Sequence, residues 1–210
     1  STATTLAFSR RSRDEPGLAG PHALAVVVAC TIMLARVGFI LFVIHPPILV
    51  AILPALALMM LPGAGYALWS MTSKKERESD VEHPDVTNPL SLSIAIKFAL
   101  IYAVVNFLVA AASELDLAES IFGVSFISGL TDVDAISLSV AQQGRDGAFS
   151  GLTAARAIIV GAVANTLLKA GLAIGLGGGA YRWRILFSLG LVAVAGVAGF
   201  FLLPALSGAS

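Results

Sequence analysis

Two carboxylates, Asp132 and Asp134, stand in the middle of a long apolar stretch, Gly123–Gln143 (GVSFISGLTDVDAISLSVAQQ). In lipid, an ionised Asp at mid-span costs about 2.5–3.5 kcal/mol on insertion scales. Its side chain is too short to reach the interface. Such a group needs a partner, a water-filled cavity or a proton. The chemistry this allows is a cation or proton site. Asp132 would be the ligand, Asp134, Thr131 and Asn165 the supporting oxygens, and Lys169 and Arg36 the counter-charges. Oxygen-only donors suit a hard cation such as Mg²⁺, with Asp132 and Asp134 as the metal ligands.

Helical phase constrains the pair. Ser128, Asp132, Ala135, Ser139 and Gln142 recur at spacings of three and four and draw one narrow polar stripe. Asp134 lies about 200° from Asp132 on an unbroken helix. Either one carboxylate is structural, or the helix is interrupted near residues 128–134 and both turn toward one cavity. Gly129 favours an interruption, and Thr131 or Asp132 is a candidate cap for the second half-helix. The structural alternative is an Asp that caps a broken helix and pairs with a buried Lys or Arg.

Lys169 and Arg36 each sit about 10–12 Å from the outer end of an apolar window, where snorkelling competes with a role as counter-charge. Lys169 is the expected partner of Asp132, because Asn165 lies one turn before it and Thr166 is adjacent. Lys97 and Arg156, near span ends, are expected to snorkel. Asn106 serves equally as interhelical glue or as a ligand. His22, His45 and His83 fall at span ends or in a loop and build no metal cluster in the membrane. Gly175–Gly179 (GLGGG) is followed by no Gly-Lys-Ser/Thr and is not a phosphate loop. No catalytic constellation is visible, so an enzyme is not expected.

The elements that must position these residues are membrane helices. Hydrophobic residues make up 57% of the 210 and charged ones 12%, against about 45–50% and 25% in soluble domains. Of the 26 charged residues only Arg36, Lys97, Asp132, Asp134, Arg156 and Lys169 lie inside apolar runs. With 13 basic and 13 acidic residues there is no net field to hold nucleic acid. The single Cys30 excludes an internal disulfide and a cysteine metal cluster.

Six windows approach the roughly 20 residues that cross a bilayer: His22–Ile44, Ile48–Met71, Ser91–Ser113, Ile121–Gln143, Thr153–Leu176 and Ile185–Pro204. The expected fold is therefore an all-α polytopic bundle of about six spans, residues 1–210 forming one transmembrane domain. His45-Pro46-Pro47 makes a tight hairpin of the first two windows. Residues 72–90 form a polar loop, read as cytoplasmic. If six spans alternate, Arg10, Arg11, Arg13, Lys74, Lys75, Arg77 and Arg145 share one side, against Arg182 and Arg184 on the other. Ser1–Ser9 reads as the end of a preceding helix, so earlier helices of the same protein are expected partners, alongside lipid and a second copy of the chain.

Self-similarity adds an expectation. Thr2–Asp14 set against Asp134–Asp146 matches at Ala, Leu, Arg and Asp. Further on, Leu34–Gly38 (LARVG) falls on Leu167–Gly171 (LLKAG), placing Arg36 on Lys169. Three spans between the copies predict a parallel repeat.

At GLTDVDAISLSVAQ, TAARAI and NTLLKAG the chain resembles the C-terminal membrane domain of unknown function fused behind MgtC/SapB-like domains in bacteria. The resemblance runs nearly the full length, from STATTLAFSRRSR to the final span. It implies a place in a bacterial inner membrane and a link to magnesium homeostasis. The expected function is a cation transport or channel component, magnesium or proton-coupled, with no resident cofactor beyond such a cation. The other reading is a regulatory or assembly domain that transports nothing.

Overall fold

The computed structural model describes residues 2–72 and 120–206, with positions 100, 103 and 107 besides. The described elements are helical: α1 (Thr2–Asp14), a 3₁₀ turn (Pro16–Leu18), α2 (Ala19–Ile44), α3 (Pro46–Thr72), α4 (Ser120–Thr131), α5 (Val133–Arg145), α6 (Gly151–Leu176) and α7 (Gly179–Leu206). Four helices among the described residues, α2, α3, α6 and α7, are long and apolar enough to cross a membrane. This is a membrane protein. Pro46 opens α3 directly after His45, where a missing N–H costs no intrahelical bond.

The direction of each helix follows from what its ends touch. Near the start of α2, Ala19 and Ala23 share a core cluster with Ala173 at the end of α6 and Tyr181 at the start of α7. At the other end, Gly144 of α5 lies against Ile48 of α3 and Ala154 of α6, and Arg156 of α6 reaches Phe200 of α7. Helices α2 and α7 therefore run one way, and α3 and α6 the other.

The window Ile121–Gln143 does not cross. Phe122 of α4 packs edge-on to Phe200, and Asn165 of α6 bonds to Gly129. So α4 climbs from the Phe200 end toward the bundle middle, alongside α6. After Asp132 the chain turns back: Ile136 lies beside Gly161 and Gly144 beside Ala154. The two arms form a re-entrant hairpin of 12 and 13 residues with Asp132 at its tip. The expected interruption is present, and it reverses the chain. The expected crossing here is corrected. The window Ser91–Ser113, apart from positions 100, 103 and 107, lies outside the described residues, with Lys97 and Asn106, as do His83 and most of the 72–90 loop.

Two further expectations change. Arg13 donates to the carbonyls of Gly175 and Gly177, so the α1 arginines and Arg182 share one end of the bundle. Arg145, at the end of α5, lies at the opposite end. A re-entrant hairpin restores the chain to the side it came from, which shifts every later loop. The paired segments containing Arg36 and Lys169 lie on antiparallel helices, so a parallel repeat does not describe them.

Candidate functional site

The hairpin tip is built by backbone chemistry. A helix that stops leaves four carbonyls at its end, and one that starts leaves four N–H groups. At the end of α4, Asp132 N–H donates to Ser128 O at 2.8 Å, and Asn165 Nδ2 donates to Gly129 O at 2.7 Å. At the start of α5, Asp132 is extended (φ −154°, ψ 117°) and its Oδ1 accepts from Asp134 N–H at 2.8 Å. Asp132 is thus the N-cap of α5. Its carboxylate faces the first turn of that helix, where a capping oxygen satisfies one of the unpaired N–H groups.

Gly129 has a different part from the one its conformational freedom suggests. A Cβ there would meet the backbone of Gly161, coming to 2.5 Å from its Cα. The two glycines let α4 and α6 cross at backbone distance. That closeness brings Asn165 to the carbonyls of the break.

Asp134 sits two residues past the tip, buried, and its carboxylate is gripped from α2. Arg36 Nε donates to Oδ1 at 3.2 Å, and Arg36 Nη2 forms the second contact, to Oδ2. This fork-to-fork geometry is the strong form of an Arg–carboxylate pair. Arg36 is thus paired with Asp134, not with Asp132.

Lys169 is completely buried, and its Nζ lies 2.8 Å from the Met33 sulfur. It lies within electrostatic range of Asp134, Arg36 and Asp132. No ion pair joins it to Asp132 or to any other carboxylate among the described residues. The expected Asp132–Lys169 pair is corrected: Asp132 spends one oxygen on the α5 N-terminus, and Lys169 faces a thioether.

The remaining oxygens divide. Asn165 Oδ1 is buried and without a partner among the described residues, as are the hydroxyls of Ser125, Ser137 and Ser139. Thr131 ends α4 with its side chain exposed, away from this set. Arg156, expected to snorkel, instead donates to Phe200 O at 3.3 Å and lies over that ring. Among the described residues no group of three or more His, Cys, Asp or Glu gathers at one point. Around the tip thus stand Asp134, Lys169 and Asn165, all buried, with Asp132 half-buried and Arg36 largely exposed; the four charged groups balance when ionised.

The family is decided by residues 1–177, which match the model described as Domain of unknown function (DUF4010). The chain belongs to the DUF4010 family. A relative, the "Uncharacterized protein" of Aquifex aeolicus (strain VF5), is 29% identical over 191 residues. That alignment covers 89% of this chain and 81% of the relative. No solved structure matches. Neither match names an MgtC/SapB-like protein.

Three residues of this DUF4010 site escaped the sequence reading: Gly161, Met33 and Ser125. The spacings Ser125-x₃-Gly129 and Gly161-x₃-Asn165 are the small-residue signature of close helix crossing, and would have pointed to the first and third. Nothing in the sequence singles out Met33.

Proposed function

We propose that this DUF4010 domain is the translocation unit of a cation carrier, with Asp132 as the group that exchanges a cation or proton. What carries the reading is a re-entrant hairpin whose half-buried tip carboxylate stands beside the charged groups Asp134, Arg36 and Lys169. Discontinuous helices that meet near the bilayer middle are the usual place for coupling-ion sites in carriers. The second oxygen of Asp132 and Oδ1 of Asn165 have no partner among the described residues. Asp134 is engaged by Arg36, so the free oxygens suit a proton or a hydrated Mg²⁺ held through one carboxylate.

The helix arrangement supports the same reading. Helix α1 packs on α2 and α6, and α5 packs on α6 and α2. Arg36 on α2 and Lys169 on α6 are counterparts on antiparallel helices. An inverted repeat of these helices would give a carrier two related faces around one site.

Sidedness follows from charge. Arg10, Arg11, Arg13, Arg182 and Arg184 share one end, against Arg145 and Arg156 at the other. The positive-inside rule makes the first end cytoplasmic. Helix α3 ends at Thr72, so the same assignment is consistent with the 72–90 loop being cytoplasmic in a bacterial inner membrane. The magnesium link rests on the resemblance to proteins behind MgtC/SapB-like domains.

A second reading, a regulatory or assembly domain without transport, is favoured by one observation: Asp132, Asp134 and Asn165 each hold a structural bond. Ion flux into proteoliposomes, wild type against Asp132→Asn, separates the two.

A further inference from the structure

Away from the hairpin, two arginines from distant parts of the chain converge at the arginine-rich end. Arg13 Nη2 donates to Gly175 O at 2.8 Å and its Nε to Gly177 O at 3.4 Å. Arg182 Nε donates to the same Gly177 O at 2.7 Å. One neutral carbonyl therefore serves two guanidinium groups. Neither has a carboxylate within ion-pair distance among the described residues: nearby Glu15 faces His22 at 3.7 Å, and no ion pair involves Asp14. Two like charges held this close repel unless an anion lies between them.

A cavity of about 330 Å³ opens at this point, lined by Ser12, Arg13, Gly177, Gly178, Gly179 and Arg182 among others. Its walls are fixed. Ser12 Oγ accepts from Gly178 N–H at 3.0 Å, and Ser9 bonds Tyr181 at 3.0 Å. A Cβ at Gly178 would lie 2.6 Å from Ser12 O, so the approach of α1 to the α6–α7 turn depends on glycine there. The cavity also meets the first turn of α7, whose unpaired N–H groups add to the positive field.

We propose that this pocket binds the phosphate of an anionic phospholipid, with Arg13 and Arg182 as its two ligands. Guanidinium groups bind phosphate through paired, charge-assisted hydrogen bonds. Basic pockets between membrane helices on the cytoplasmic side are where anionic headgroups bind. The pocket lies at the end of α6 and the start of α7, at headgroup level for two crossing helices, which favours a lipid over a phosphate in solution.

The test is the unfolding midpoint of the purified chain in neutral detergent, titrated with phosphatidylglycerol, phosphatidylcholine or inorganic phosphate. Saturable stabilisation by phosphatidylglycerol alone is expected. The Arg13→Gln/Arg182→Gln double variant should weaken its apparent affinity about thirtyfold, from two lost charges, whereas Arg10→Gln/Arg11→Gln on the same helix should change it little. If the double Gln variant does not fold, Arg13→Lys/Arg182→Lys keeps the charge but loses the forked geometry, and weaker binding is still expected. Equal stabilisation by phosphatidylcholine, equal weakening by the Arg10/Arg11 variant, or unchanged affinity in the Lys variant would overturn the proposal. Stabilisation by inorganic phosphate as strong as by the lipid would overturn the lipid as its source.

Discussion

Arg36 holds both carboxylate oxygens of Asp134 from the neighbouring helix α2, and that is the one ion pair tying the re-entrant hairpin to the crossing helices among the described residues. The hairpin also packs on α6 through Gly129 and Gly161 and through the Asn165 bond. Its position is thus fixed by one polar clamp on each arm: Asn165 on α4, Arg36 on α5.

Removing the second clamp should loosen the hairpin. Asp134 has 12% of its side chain exposed but Arg36 has 56%. The cost of Arg36→Met should fall between that of exposed and buried pairs, about 2 kcal/mol. Adding Asp134→Leu should recover much of it, because no unpaired carboxylate then remains. Thermal unfolding of the two single variants and the double one measures the coupling. Additive losses would mean the pair contributes nothing.

The glycine crossing gives a sharper contrast. Gly129→Ala forces a Cβ into the Gly161 backbone and should destabilise by about 1–3 kcal/mol despite alanine's better helix propensity. Gly123→Ala, on the same arm with nothing within 4 Å of its Cβ, should be neutral or slightly stabilising. Equal melting points for the two variants would contradict the crossing.

Lys169 offers a test of roles. It is wholly buried, and among the described residues it bonds only to the Met33 sulfur, so Lys169→Met keeps the volume and removes a buried amine. Stability should hold or rise. Flux should fall, because the balance of charges around the tip changes. A large loss of stability would instead mark Lys169 as a structural partner that the geometry does not show.

Much of this was legible in the sequence, and the limits have physical causes. The break at Asp132 could be anticipated because a carboxylate, a hydroxyl and a glycine at mid-span favour caps over continuous helix. Its reversal could not. Arms of 12 and 13 residues joined at one extended residue have the same apolar length as one crossing helix, so hydropathy treats them alike. The error then passed to the loops, since a missing crossing moves Arg182 to the side of Arg13. The choice of partner failed for a related reason. Arg36 and Lys169 lie at matched depth, and only the path of α5 decides which of them meets a carboxylate.

Asp132 itself has two jobs to separate. As an N-cap it should tolerate Asn, which caps about as well, while Asp132→Ala should cost about 1 kcal/mol, within the usual range for lost caps. Circular dichroism melts of the three proteins read this directly.

The most direct measurement of the carrier reading is cation or proton flux into proteoliposomes containing the wild-type chain or Asp132→Asn, each first shown to melt at the same temperature. The variant keeps the cap and the shape and removes only the charge. Measurable flux in the wild type and its loss in the variant are the expected results. Flux of equal size in both, or none in either, would contradict Asp132 as the exchanging group and leave the hairpin tip a structural element.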